Sequence, residues 1–277
     1  MNNEKIVLET SSKMSKETKS ILPLRVTLHE AIKLAGKDGL KTMIKMLVYP
    51  ERPLFIGSFR EYLMQGRMVL QAVYGLRAMY FLARRGFVFD VIPVTEQSKH
   101  NVNVIDHNFW HTFDIFRFSR RPESLLYLLL SAHAKKEGKT LCIGPKNEGE
   151  LLLFRAHGFK DVIGIDLFTY CPTILVMDLH EMTFPDNSFD TINCGWVLRY
   201  AYDLPKAIKE IIRVSKPGAM IACSLTFTEE VGQSTGTVCD ISSVLALFGD
   251  TVGHVFWRDD IDRTPGRKTR LVFQIKK

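Results

Sequence analysis

The length, composition and charge of the chain exclude several classes of protein. Its 277 residues are 46% hydrophobic and 24% charged, which favours a folded protein over a disordered one. This length allows one large domain, or a small domain joined to a medium one. The net charge of +7 is modest and indicates a solvated basic surface more than a face that binds nucleic acid.

The N-terminus and the cysteines indicate the compartment. The first twenty residues mix Lys with Glu and lack the apolar centre of a secretory signal. No apolar run approaches the roughly 20 residues of a membrane-spanning helix. The cysteines form no C-x-x-C pair, which disfavours a disulfide framework and a zinc site; they are Cys142, Cys171, Cys194, Cys223 and Cys239. We therefore expect a cytoplasmic protein without a membrane span or a metal site.

The first 120 residues are predicted to form a mainly helical region. Apolar residues at helical spacing predict a helix from Phe59 to Arg85, which Gly86 ends. A short strand-like run, Val88 to Val94, and an aromatic-rich loop follow. We expect this region to cap the site and select the substrate; pairing with a second subunit and contact with a membrane surface are the alternatives.

Residues 121–277 are predicted to form an α/β domain. A helix from Ser119 to Lys136 leads into strand-like runs that alternate with helical stretches. The runs are Thr140 to Gly144, Val162 to Asp166, Ile174 to Asp178, Thr191 to Cys194 and Ala219 to Thr226; the helices are Glu148 to His157, Leu204 to Val214 and Ser242 to Phe248. This alternation predicts a mostly parallel, doubly wound sheet, which an antiparallel hairpin of Val255 to Arg258 and Arg270 to Lys276 completes.

Ligands of such sheets bind at the carboxyl ends of the strands, so the residues there are candidate site residues. The first strand is followed by a turn from Gly144 to Glu150, whose glycines let the backbone approach a ligand. Asp166 follows Gly144 by 22 residues, the distance at which a carboxylate accepts hydrogen bonds from ribose hydroxyls. A turn or a helix cap is the alternative role of Asp166. Asp178 ends the third strand and is a candidate acceptor for an exocyclic adenine amine.

These segments together resemble the class I S-adenosylmethionine-dependent methyltransferases. The group concerned carries D-x-x-x-L-P-F-P-D-N-S-F-D followed by R-V-L-K-P-G-G, which are matched here by Asp178 to Asp190 and by Arg213 to Ala219. The resemblance covers about residues 125 to 277 and implies a Rossmann-like fold with S-adenosylmethionine as the cofactor. The cofactor-binding residues it implies are Gly144, Pro145, Glu148, Gly149, Asp166, Leu167, Asp178, Leu179, Asn193 and Gly195.

The roles implied by the resemblance follow the order of the strands. Gly144 and Gly149 would line the methionine and ribose portion, and Asp166 would bind the ribose hydroxyls. Asp178 would bind the adenine amine and Leu179 the adenine face, while residues 193–195 would lie along the methionine end.

The first motif departs from the family pattern D/E-x-G-x-G-x-G. The acidic position is occupied by Cys142, and Lys146 and Asn147 replace part of the glycines. The methionine amine then needs another acceptor, and Glu148 and Glu150 are the candidates. Proteins with a similar I-G-P-[KR]-x-E-G-E turn suggest a feature of a subgroup.

The resemblance implies methyl transfer to a small-molecule acceptor, with an oxygen or a nitrogen as the acceptor atom. The G-x-G-x-x-G of dinucleotide dehydrogenases is absent. Asn193-Cys194-Gly195-Trp196 differs from the [DN]-P-P-[YFW] of enzymes that methylate base amines, and no stable nucleic-acid complex is expected. The alternatives are a non-catalytic binding module, or a methyltransferase acting on nucleic acid or protein.

Candidate general bases lie in segments expected to border the site: His107, His111, Asp106 and Glu229. Phe109, Trp110 and Phe113 would either roof the pocket or pack between the two halves of the chain. A homodimer is compatible with the long amphipathic helix.

Overall fold

A computed structural model describes residues 66–93, 95, 99–109, 120–226, 240–259 and 268–277. The helices among these residues are α1 (Arg67–Arg84), α2 (His100–Phe109), α3 (Arg120–Ser131), α4 (Gly149–Ala156), α5 (Leu204–Val214) and α6 (Ile241–Phe248). The strands are β1 (Asp90–Val91), β2 (Lys139–Ile143), β3 (Asp161–Asp166), β4 (Phe168–Thr169), β5 (Ile174–Val176), β6 (Phe189–Gly195), β7 (Ser215–Thr226), β8 (Val252–Arg258) and β9 (Lys268–Ile275). None of these helices combines the length and the apolar character needed to cross a bilayer.

Seven strands form one sheet in the order β5-β3-β2-β6-β7-β9-β8. The first five are parallel, and β9 runs antiparallel between β7 and β8. The predicted Rossmann-like fold with a terminal antiparallel hairpin is confirmed. In the register, Cys142 pairs with Gly164 on one side and with Asn193 on the other, so the carboxyl ends of β2, β3 and β6 meet at one edge.

Helices cover both faces of the sheet and bury its central strands on both sides. This burial accounts for the nearly continuous apolar sequence of those strands. One hydrophobic core contains Leu125 of α3 and Phe154 of α4. The other contains Ile211 of α5 and Val244 of α6. Each of the last two helices begins at an Asp whose side chain accepts a backbone N–H, from Lys206 at 3.0 Å and from Ser243 at 2.8 Å.

Residues before 120 share the first of these cores. Tyr74 of α1 is buried in it, and β1 pairs with β4. Phe109 packs its ring against Phe89 at 5.2 Å and Phe168 at 6.0 Å between centroids. Phe109 therefore packs between the two halves of the chain rather than over a pocket, whereas Trp110 and Phe113 lie outside the described residues.

The fifth strand of the parallel set begins earlier than predicted. The sequence predicts its start at Ala219, but β7 begins at Ser215, directly after α5. The pairing of β6 with β7 shifts between Phe189 and Thr191, which accommodates the extra residues, and Gly218 has a φ of +78°. Lys216 pairs with Asp190 at 2.5 Å, so its partner is a carboxylate on the neighbouring strand.

Candidate functional site

The turn after β2 has a backbone conformation that favours glycine. Gly144 has a φ of +67° and donates its N–H to the Ile165 carbonyl at 2.9 Å. A Cβ atom at this position would lie 2.8 Å from Cγ2 of Val197. The turn therefore passes close to the segment after β6, and a side chain at residue 144 would strain both.

Asp166 is held by this turn at the end of β3. Its Oδ2 accepts the N–H of Lys146 at 2.7 Å, and its Oδ1 accepts the N–H of Leu167 at 2.8 Å. Burial raises the pKa of Asp166 to about 6 despite these two hydrogen bonds. Each carboxylate oxygen accepts more than one hydrogen bond, so the group retains the capacity to bind two adjacent hydroxyls.

Asp178 lies two residues beyond β5 and is surrounded by donors. Asn101 of α2 donates its amide to Oδ2 at 2.9 Å, and Oδ1 accepts the N–H of His180 at 2.9 Å. Burial raises the pKa of Asp178, but the hydrogen bonds from His180 and Asn101 outweigh it and hold the pKa below its usual value. Asp178 is therefore a stabilised carboxylate at the position predicted for the adenine amine. Leu179, next to it, is buried.

The hydrogen bonds of His180 determine which ring nitrogen carries the proton. Its Nε2 accepts the N–H of Asp203 at 3.2 Å, so the proton is on Nδ1, which lies 2.5 Å from Oδ1 of Asp178. The ring stacks on Tyr202, with 3.7 Å between centroids and 24° between planes. His180 thus orients Asp178 through its ring and its backbone N–H, a contact that the sequence analysis did not predict.

Glu148 has a partner outside the turn. Arg77 of α1 binds its carboxylate through both Nε at 2.7 Å and Nη2 at 2.6 Å. The Thr173 hydroxyl donates a third hydrogen bond at 3.2 Å, and the Glu148 side chain is 1% exposed. This carboxylate joins α1 to the start of α4, and the structure does not favour it as the acceptor for a methionine amine.

Glu150 faces the opposite way, toward the strand ends. Its Oε1 accepts the Asn193 amide at 2.7 Å, and the Cys142 thiol donates to the same carboxylate. Burial raises the pKa of Glu150 to about 7, and the nearby Asp166 adds to the effect. Gly195 completes this corner, because a Cβ atom there would be 3.8 Å from the Asn193 amide nitrogen.

Of the four predicted general bases, Asp106 and His107 lie among the described residues and both are exposed. His107 lies on the exposed side of α2, opposite the buried face that carries Asn101 and Ile105. His111 and Glu229 lie outside the described residues. The assignment of a base stays a prediction.

The residues at the sheet edge fit a nucleoside that carries an amino-acid chain. Asp166 offers acceptors for a ribose diol, and Asp178 offers one for an amine. The buried Oδ1 of Asn193 has no hydrogen-bond partner, which leaves an acceptor at the corner nearest β2. Three contacts of the site were not predicted from the sequence, because each joins segments that are distant along the chain. They are Arg77 to Glu148, Asn101 to Asp178, and Asn193 to Glu150.

Part of the chain is similar in sequence to known methyltransferases. Residues 141–223 match a family model described as a methyltransferase domain. A demethylmenaquinone methyltransferase of Symbiobacterium thermophilum is 35% identical over 102 residues, which are 35% of this chain and 37% of that protein. The corresponding enzyme of Bacillus pumilus is 37% identical over 70 residues, 25% of this chain and 30% of that protein. The chain thus spans about a third of the length of these curated relatives.

Solved structures with a similar backbone are more distant. The N-methyltransferase NodS from Bradyrhizobium japonicum, in complex with S-adenosylhomocysteine, has a TM-score of 0.45 and 18% identity over 57% of this chain and 87% of its own. The [4+2]-cyclase SpnF has a TM-score of 0.49 and 15% identity, over 67% of this chain and 98% of its own. Residues 141–223 therefore match a methyltransferase domain, and they lie within the Rossmann-like sheet described above.

Proposed function

We propose that this protein transfers a methyl group from S-adenosylmethionine to a small-molecule acceptor in the cytoplasm. The observation that carries the proposal is the set of acidic side chains at consecutive strand ends. Asp166 follows β3 and Asp178 follows β5, each oriented by backbone or side-chain donors. The named activity of the demethylmenaquinone methyltransferases supports an organic small molecule as the acceptor class.

The chain would act chiefly by binding and orientation. When bound, the cofactor supplies an electrophilic methyl carbon, whose bond to sulfur breaks as a lone pair of the acceptor bonds to it. Asp166 and Asp178 would fix the nucleoside end at two points. Aligning the two reactants supplies a large part of the rate enhancement of such a transfer. A strong acid or base is therefore not required.

The position of helix α2 supports a cap over the site where the acceptor would enter. Its buried face carries Asn101, which reaches Asp178 at the sheet edge. The helix therefore lies beside the predicted adenine subsite. We propose that the region 1–120 caps the site of a domain formed by residues 121–277, and that the cap selects the acceptor.

Calorimetric titration with S-adenosylmethionine and S-adenosylhomocysteine tests the proposal. We expect both to bind the native protein, and Asp166→Ala to weaken binding at least tenfold because the ribose loses its acceptor. Asp161→Asn, at the opposite end of the same strand, is the matched control and should bind normally. An absence of binding to the native protein would refute the proposal and favour a non-catalytic module that retains the fold.

Turnover is tested next, with tritiated S-adenosylmethionine and panels of quinones, phenols, amines and sugars. Transfer of label to one class would identify the acceptor. Transfer only to RNA or protein would contradict the assignment of a small molecule.

A further inference from the structure

Glu150 is a half-buried carboxylate that has no cation beside it among the described residues. It lies in the first turn of α4, where Asn193 and Cys142 are its hydrogen-bond donors. Both donors are neutral, and the nearby Asp166 repels it. Among the described residues Glu150 makes no ion pair, whereas Glu148, two residues earlier, is bound twice by Arg77. A carboxylate that is largely removed from water is normally paired with a cation. The surroundings of Glu150 therefore favour the binding of a positively charged ligand group.

A second unsatisfied acceptor lies beside it. The Asn193 side chain is 0% exposed, and its amide nitrogen is committed to Glu150. Its Oδ1 has no partner. The corner thus offers one charged and one neutral acceptor to the same ligand group. A carboxylate or a phosphate would be repelled here, whereas an ammonium group has three donors, no acceptor and the required charge.

We infer that Glu150 and Asn193 bind the ammonium group at the amino-acid end of the cofactor, and that Glu150 replaces the acidic residue that β2 lacks at Cys142. The inference rests on the proposed function, which supplies a ligand with a single ammonium group. The thiol of Cys142 donates to Glu150, so the carboxylate reaches the strand from α4. The acidic group has moved from the strand to the helix that follows it.

This arrangement makes a specific demand on the ligand. A site that buries acceptors for an amine rejects an analogue without the amine, because the acceptors are then left unpaired. The test compares S-adenosylhomocysteine with its analogue that lacks the α-amino group, by calorimetry on the full chain. We expect the native protein to bind the amine-bearing ligand about 30-fold more tightly.

The decisive variant is Glu150→Gln, which keeps the shape of the side chain and removes its charge. It should weaken S-adenosylhomocysteine about 30-fold and the deaminated analogue less than threefold. Glu137→Gln, whose parent side chain is 80% exposed, is the matched control and should change neither affinity. A purely structural role for Glu150 would weaken both ligands alike, which would overturn the inference while binding by the native protein upholds the proposed function.

Moving the carboxylate back supplies a gain of function. In the double variant Cys142→Asp with Glu150→Gln, the charge returns to the strand. We expect it to recover at least tenfold of the lost affinity for S-adenosylhomocysteine and none for the deaminated analogue. Recovery for neither ligand, in a variant that still unfolds cooperatively, would argue against the exchange of positions.

A measurement on the native protein avoids any problem of folding. The groups that face Glu150 are Cys142 on β2, Asp166 on β3, and Asn193 and Cys194 on β6. Arg155, one turn along α4, donates to the Val162 carbonyl at 2.7 Å. An ammonium ligand needs Glu150 ionised, so calorimetry at pH 6.5 in buffers of different ionisation enthalpy should show release of a proton. The deaminated analogue keeps the ribose contact with Asp166 and should release fewer protons; equal release would contradict the inference.

Discussion

Loss of the Arg77 guanidinium is predicted to destabilise the fold through Glu148. The Glu148 side chain is 1% exposed and the Arg77 side chain 38%, so Arg77→Met would leave a buried carboxylate whose remaining side-chain donor, within the described part of the chain, is the Thr173 hydroxyl. Breaking a fully buried ion pair costs roughly 3–5 kcal/mol, and an exposed pair is worth about 0–1 kcal/mol. Because one partner is partly exposed, we expect a loss of about 2–3 kcal/mol in the free energy of unfolding.

Urea unfolding at pH 7.5, followed by circular dichroism, measures this loss. Glu148→Gln should cost less than Arg77→Met, and the double variant less than the sum of the two, because the buried charge is then absent. Arg84→Met is the matched control, since Arg84 donates a hydrogen bond to the exposed Tyr80 hydroxyl at 3.2 Å. A loss below about 1 kcal/mol for Arg77→Met would refute the reasoning, because it would equate this pair with a surface salt bridge.

Three further predictions concern the strand ends. Gly144→Ala should cost about 1–2 kcal/mol more than Gly86→Ala in urea unfolding, because both glycines have φ near +60° but only residue 144 has a neighbour, Val197, at 2.8 Å from the added Cβ. The melting temperature of the ligand-free protein should fall between pH 5 and pH 8, since burial raises the pKa of Glu150 from 4.5 to about 7 and folding favours its protonated form. Ionisation of Glu150 across this pH range lowers the free energy of unfolding by about 3 kcal/mol. Glu150→Gln should therefore flatten the upper part of the curve of melting temperature against pH. A flat curve for the native protein would contradict the raised pKa of Glu150. Asp178→Asn should weaken S-adenosylhomocysteine about tenfold but leave its inosine analogue, which lacks the exocyclic amine, within threefold; equal losses for the two would count against the adenine contact.

The parallel sheet was predictable because its signals are local. Each strand is a short apolar run, and α5 was predicted with its observed bounds, since Asp203 and Pro205 mark its start and its apolar residues follow the helical period. The bounds of the central strands differ from prediction by at most four residues. The position of Asp166 was predictable for the same reason, because a carboxylate at the end of β3 follows from counting residues along one βαβ unit.

Pairings between distant segments were not predictable in this way. Glu148 and Glu150 are two residues apart at the start of one helix, and nothing local distinguishes their roles. A step of two residues turns the side chain by about 200° around a helix, which directs one carboxylate toward α1 and the other toward β2 and β6. Only the packing of α1 against α4, which brings Arg77 to Glu148, decides between them.

The three carboxylates at the strand ends differ in how completely the protein satisfies them. Asp178 already receives hydrogen bonds from Asn101 and His180, and its pKa is held low, so the adenine end is ionised before any ligand arrives. Asp166 and Glu150 have raised pKa values of about 6 and about 7, because burial at the predicted ribose and methionine ends outweighs the hydrogen bonds that each carboxylate accepts. Ligand donors therefore contribute most where the protein contributes least. It follows that a ligand with an ammonium group and a ribose diol gains affinity as pH rises from 5 to 8, while adenosine alone, without the ammonium group, gains less.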